Sequence, residues 1–396
     1  MITKPARAPA RPDRTAGTRR RPSWHTACLG ALALGLAACS SSSPAPGTTR
    51  AATSASGTAT SSSPKATSTA PGIDTVGTSD PWIVYEGPIP GYDGQRAGNR
   101  GVRPDGSGDH WVTPGVPLPA QYNGWQVHPD WSPDGQRLAF AADDPRQDGQ
   151  SVVTRDLWVS DVNGGHLDRV FDCELPCAEA DDPAWSPDGQ SLAFDVFDAK
   201  GDFNVNIRIV VLDLETHRLR TITRASGNDN ITQPRWSPDG RTLAFEVQHV
   251  TDESLTGKVT ATAIATVPVT DHAATATVIT PWSMCASYPD WHPTHDLILF
   301  AIYGCPKLAG PFNLWTVRAD GSHLTQVTHY PKGPGSRAIQ PTFTPDGTHI
   351  IFTTTEGDDI STATMVEVAL DGSGLTSATS SGPLFGTHPR LRPNVG

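Results

Sequence analysis

The chain has 396 residues, of which 18% are charged and 37% hydrophobic, with a formal net charge of −11. That balance argues against a nucleic-acid partner, because phosphate contacts need a basic face, and the length leaves room for two or three ordinary domains. The apolar run from Ala27 to Ala38 is shorter than the roughly 20 residues a spanning helix requires.

Residues 1–38 read as a secretory signal. Lys4, Arg7, Arg11, Arg14 and Arg19-Arg20-Arg21 make a basic start, and the apolar run then leads to Cys39. The junction Leu36-Ala37-Ala38-Cys39 resembles the lipobox of bacterial lipoproteins, which implies cleavage before Cys39 and a lipid on that residue. An ordinary secretory signal with an incidental cysteine is the alternative. Residues 39–79 are nearly all Ser, Thr, Ala, Pro and Gly after the cysteine. Such a stretch has too little apolar surface to offset its ordering entropy, so a flexible tether with a reach of roughly 35 Å is expected. Removing residues 1–38, with their seven Lys/Arg and one Asp, leaves 23 basic against 40 acidic groups, a net of −17. An acidic surface of this kind keeps an exported protein soluble.

From residue 80 the chain is organised by a phrase. It reads HPDWSPDGQRLAF from His128, DPAWSPDGQSLAF from Asp182 and QPRWSPDGRTLAF from Gln233. Looser copies are YPDWHPTHDLILF from Tyr288, QPTFTPDGTHIIF from Gln340 and the truncated HPRLRP from His388. The repeated prolines at 129, 183, 234, 289, 341 and 389 are spaced by 54, 51, 55, 52 and 48 residues. A near-constant period of that size marks a repeat architecture. Within each copy, Pro129 to Trp131 and its counterparts read as a strand, Ser-Pro-Asp-Gly as a tight turn and Arg137 to Phe140 as the returning strand. Third strands follow at Leu157–Val159, Ile207–Val211, Thr262–Ala265, Leu314–Val317 and Met365–Val368. Fourth strands end near Thr223, Thr280, Thr328 and Thr379. The sixth phrase supplies only one strand, and the segments at Trp82–Glu86, Arg100–Arg103 and His110–Thr113 supply the other three. The expected fold is therefore all-β: a six-bladed β-propeller of four-stranded antiparallel blades, closed by the C-terminal strand against the N-terminal ones.

The phrase P-x-W-S-P-D-G-x-x-[LI]-A-F resembles the TolB-type propeller repeat over residues 82–393. The same repeat occurs in propellers of prolyl-oligopeptidase-like peptidases and in exported lipoproteins. The resemblance implies a propeller domain over residues 80–396.

Four cysteines remain after Cys28 and Cys39, and they form two local pairs, Cys173/Cys177 and Cys285/Cys305. In an exported domain these suggest two disulfides; a zinc site lacks a second Cys or His pair at suitable spacing. The residue ahead of each repeated proline should face the mouth of the central channel: His128, Asp182, Gln233, Tyr288, Gln340 and His388. These residues either solvate the mouth or bind a small ligand or a partner's inserted segment. A sharper form groups His388, His128 and Asp182 as metal ligands. No G-x-S-x-G elbow, H-E-x-x-H or P-loop signature is present. Acidic pairs such as Asp143-Asp144, Asp181-Asp182 and Asp358-Asp359 read as solvated loops. The expected role is a lipid-anchored binding or scaffold module of the cell envelope, monomeric, with no cofactor or metal and no catalytic set. Its partner would be an envelope protein or small ligand, with the membrane reached through the N-terminal lipid. A metal-assisted lyase or hydrolase acting on an envelope carbohydrate or peptide is the alternative.

Overall fold

Each copy of the phrase folds as a strand, a tight turn and a return strand, and the turn is closed by its own side chains. In the first copy Ser132 Oγ donates to Asp134 Oδ1 at 2.5 Å, the Gln136 amide donates to the same oxygen at 3.1 Å, and Gly135 N–H returns to Ser132 O at 2.7 Å. Gly135, Gly189, Gly240 and Gly347 adopt φ of 61°, 70°, 69° and 71°, which a Cβ would strain. A computed structural model describes residues 82–393, apart from 89–96, 114–124, 145–153, 163–165, 201–202, 228, 252–257, 271, 304–311, 331–335 and 357–358. The signal, Cys39, the tether, Cys305 and Asp358 lie outside the described residues.

The described residues are almost entirely strand, arranged as small antiparallel sheets in a propeller-like pattern. One sheet joins the C-terminal strand Thr387–Leu391 to Ile83–Pro88, Ala97–Val102 and His110–Trp111, with Ile83 opposite Leu391 and Val84 opposite Arg390. Three further sheets begin at Asp229–Trp236, Ala286–Trp291 and Ser336–Phe343. An eight-stranded sheet holds the copies that begin at Gln126–Trp131 and Cys177–Trp185; its two antiparallel halves meet through one parallel contact, Arg155 with Glu179. The strands carrying the phrase pack one against the next, and Thr387–Leu391 packs back on both Ser336–Phe343 and Gln126–Trp131.

The sheets are held together by the repeated aromatics. Phe140, Phe194, Phe245, Phe300 and Phe352, one per return strand, are completely buried, and each such side chain contributes about 1.5–3 kcal/mol through burial. The repeated tryptophan adds a directional contact. Trp131, Trp236 and Trp291 donate their indole N–H to the carbonyls of Arg390, Ala184 and Arg235, at 3.2, 3.1 and 3.0 Å. In all three cases the acceptor is the residue after the repeated proline of the preceding copy. Trp185 instead lies beneath the Arg137 guanidinium, 4.4 Å from its ring centre.

Cys173 and Cys177 are joined by a disulfide with a Cα separation of 5.2 Å, and Cys285 is buried at the start of its sheet. The acidic pairs depart from expectation. Asp143, Asp144, Asp181 and Asp182 are buried, not on solvated loops. Asp143 and Asp181 are compensated by Arg155, itself 2% exposed, which donates to them at 3.1 and 2.5 Å, and Asp182 lies 3.1 Å from His128 Nδ1. A buried charge is tolerated when paired in this way.

Replacing Trp291 with Phe removes the indole donor and strands the buried Arg235 carbonyl. Urea unfolding should show a loss of about 1–3 kcal/mol, larger than for Trp185→Phe, whose indole nitrogen has no hydrogen-bond partner.

Candidate functional site at the channel mouth

All six residues ahead of the repeated prolines share one unusual backbone conformation. His128, Asp182, Gln233, Tyr288, Gln340 and His388 have φ of 53°, 51°, 58°, 58°, 52° and 50°, in the left-handed region. For a non-glycine residue this costs about 1–3 kcal/mol. Each lies where the pairing register shifts between its strand and the neighbouring one, so the bulge turns the side chain out of the sheet.

A bulged residue takes its N–H out of the ladder, and that donor must be satisfied elsewhere. Carboxylates of the preceding sheet accept it: Glu86 from His128 at 2.6 Å, Asp195 from Gln233 at 3.2 Å and Glu246 from Tyr288 at 3.2 Å. The His388 amide donates to Gln340 Oε1 at 3.2 Å, and that of Asp182 to Asp181 at 2.9 Å. These acids were missed in the sequence, yet a signal existed. Glu86, Asp195 and Glu246 each directly follow the aromatic residue of their strand, in VYE, LAFD and LAFE.

The conformation brings five of the six side chains together. Asp182, Gln233, Tyr288, Gln340 and His388 line one small open cavity, joined by Arg235 and Arg390 and the prolines 289 and 341. His128 stands behind this wall, its ring edge-on to His388 at 4.5 Å. The expected His388–His128–Asp182 grouping is corrected in its third member. Glu86, His128 and His388 bring ligand-capable atoms within 4.8 Å of one another, whereas Asp182 pairs with the far nitrogen of His128, Nδ1, at 3.1 Å. The reason is Glu86, which reaches His388 Nδ1 at 2.9 Å from the neighbouring strand.

The two imidazoles are driven apart electrostatically. Burial alone would lower the pKa of His128, but Asp182, Asp181 and Glu86 outweigh it and hold the imidazolium, with a pKa pushed up to about 10. His388 moves the other way: burial, helped by the positive His128, holds it below the usual histidine value against the pull of Glu86. Its ring is within 2.9 Å of the Gln340 amide nitrogen. Burial, with Asp182 and Asp181 nearby, keeps Asp195 well above the ordinary carboxylate range, and burial raises Glu246 to about 7. The cavity wall therefore presents a neutral imidazole, two amides, a phenol, one carboxylate and the two guanidinium groups of Arg235 and Arg390, backed by the buried His128 cation.

No protein-family model matches the chain. Among solved structures, TolB from Acinetobacter baumannii superposes with a TM-score of 0.55 at 16% identity, covering 80% of this chain and 68% of that one. Putative TolB from Agrobacterium tumefaciens superposes with a TM-score of 0.50 at 18% identity, covering 80% and 99%. The fold is a TolB-like β-propeller. At these identities the likeness concerns the fold alone. A sequence relative, the uncharacterized peptidase YuxL of Bacillus subtilis, is 28% identical over 131 residues, 32% of this chain and 18% of that protein. The TolB-like chain thus matches less than a fifth of that relative's length.

The His128 pair gives a pH signature. Because its folded pKa lies above the unfolded 6.5, its contribution is complete below pH 6.5 and is lost as pH rises towards 10. Urea unfolding of chelator-treated protein should therefore show stability falling between pH 7 and 10 by up to about 1.4 kcal/mol per pH unit. Glu246 titrates over a lower range, and His128→Gln should flatten the upper limb.

Proposed function

We propose that the chain is an extracytoplasmic propeller of six blades, tethered to a membrane by a lipid on Cys39, that binds a small ligand or a segment of an envelope protein at the channel mouth. Counting the halves of the eight-stranded sheet separately, since only the Arg155–Glu179 contact joins them, supports the blade number. The lipobox-like junction and the tether of residues 39–79 support the anchoring. The observation that carries the binding role is the convergence of five left-handed residues on one cavity. Five strained positions that point polar side chains at a common space support a site, as concave pockets with few convergent polar groups do. A Cys285–Cys305 bond belongs to the same extracytoplasmic reading.

Two measurements test it. Growth with a clickable palmitate analogue should label the wild type and place it in the membrane fraction, while Cys39→Ser should be unlabelled and released. A photo-crosslinking residue at Gln340 should give a discrete adduct in envelope preparations, and one at the exposed Leu219 should not. Equal crosslinking from both positions would overturn the cavity as the binding site.

The Glu86–His128–His388 cluster favours a second reading, metal-assisted cleavage of an envelope carbohydrate or peptide. His128 Nδ1 held by Asp181 at 2.7 Å leaves Nε2 facing the cluster, as a carboxylate behind a ligating histidine does. Calorimetric titration with Mn²⁺ or Zn²⁺ should then show binding that His388→Ala abolishes; heat no greater than in that variant excludes it.

A further inference from the structure

The residue one place after each repeated proline forms a second set around the ring: Asp130, Ala184, Arg235, Asp290, Thr342 and Arg390. Residues three copies apart match, Asp130 with Asp290 and Arg235 with Arg390, so the set has an approximate two-fold charge pattern. The aspartates are drawn into the next copy. Asp130 accepts the Trp185 amide at 2.9 Å, and Asp290 accepts the Phe343 amide at 2.9 Å and the Thr342 hydroxyl at 3.0 Å. The arginines are the pair that line the cavity.

Both arginines lie in the field of Asp130, and Arg390 also in those of Asp290 and Asp182, but their hydrogen bonding is incomplete. Each turns one nitrogen to the carbonyl just before it, Arg235 to Pro234 at 2.9 Å and Arg390 to Pro389 at 3.2 Å. Arg390 Nε is 3.7 Å from Asp130, beyond hydrogen-bond reach. Arg235 is 9% exposed, and its Nε has no hydrogen-bond partner. The Gln233 amide oxygen, on the same cavity wall, is also buried without one. A buried donor and a buried acceptor left unmet cost about 1–3 kcal/mol each. One cavity therefore holds two guanidinium groups beside Asp182, an open N–H and an open acceptor.

We infer that the cavity recognises a carboxylate, held between Arg235 and Arg390, on a ligand whose neighbouring N–H or O–H donates to Gln233. This rests on the cavity being the binding site proposed above. The planar guanidinium matches a carboxylate in geometry. A doubly charged phosphate fits worse, because Asp182 lines the same space. Tyr288, Gln340 and His388 supply the wall for the rest of the ligand. The carboxylate can belong to a small organic acid or to a peptide C-terminus.

The test uses the full exported chain in detergent at pH 7, titrated calorimetrically with N-acetyl-trialanine and with its C-terminal amide. The acid should bind at least about tenfold more tightly than the amide. Arg235→Gln and Arg390→Gln should each weaken the acid by roughly tenfold or more. Gln233→Leu, which leaves both charges in place, should weaken acid binding while the unfolding midpoint stays near the wild type. Competition by millimolar acetate would show that the carboxylate alone suffices, whereas acid binding insensitive to acetate would assign the site to peptide C-termini. Equal binding of acid and amide, or binding of neither, would overturn the carboxylate assignment. Equal binding that is lost in Tyr288→Trp would do so while leaving the cavity reading intact, and that reading stands or falls on the crosslinking from Gln340.

Discussion

A left-handed residue ahead of each repeated proline is the constraint on which the rest of the molecule depends. Proline has no N–H to give the ladder and within sheets is confined to edges, strand starts and bulges, and the strand bulges where the two residues meet. The bulge takes one N–H out of the ladder, and a buried N–H must find an acceptor. In three copies the acceptor is a carboxylate of the preceding sheet, Glu86, Asp195 or Glu246. One local distortion therefore ties neighbouring sheets together near the axis and turns a side chain towards it. The tryptophan two places after the proline ties the same sheets again through the carbonyls of Arg390, Ala184 and Arg235.

Bringing those acceptors inward concentrates charge, and the core answers with cations placed to match. Arg155 bridges Asp143, Glu179 and Asp181, and Asp181 in turn binds His128. Burial still lifts Glu179 to about 7. His128 remains charged because three carboxylates surround it, and its charge is one reason His388 stays neutral. The polarity of the cavity wall is thus set by groups behind it as much as by those lining it.

The repeat was legible because its chemistry is local. Ser-Pro-Asp-Gly closes its own turn, and the return strands are apolar on both faces wherever they occur. The channel-mouth residues could also be found, since their place in the repeat is enough to locate them. What touches them could not be read the same way. Glu86 meets His388 only because the first and last strands pair, and Arg155 lies between Asp143 and Asp181 only after two sheets pack together. Without that arginine, paired aspartates resemble solvated loops. The acids of VYE, LAFD and LAFE were readable in principle, but their role depends on knowing that the next copy carries an unmet N–H.

The two sets of residues around the axis obey different rules. The residues after the prolines repeat their charges with two-fold symmetry, as expected where ion pairs and capped amides must balance in a closed ring. The residues before the prolines share φ within a few degrees, 50° to 58°, yet comprise two histidines, two glutamines, an aspartate and a tyrosine. A backbone position that tolerates four different side chains does not dictate any of them. Glycine would adopt this conformation at the lowest cost and occurs in none of the six copies. In five of the six copies the polar side chain held there at the expense of strain faces the cavity.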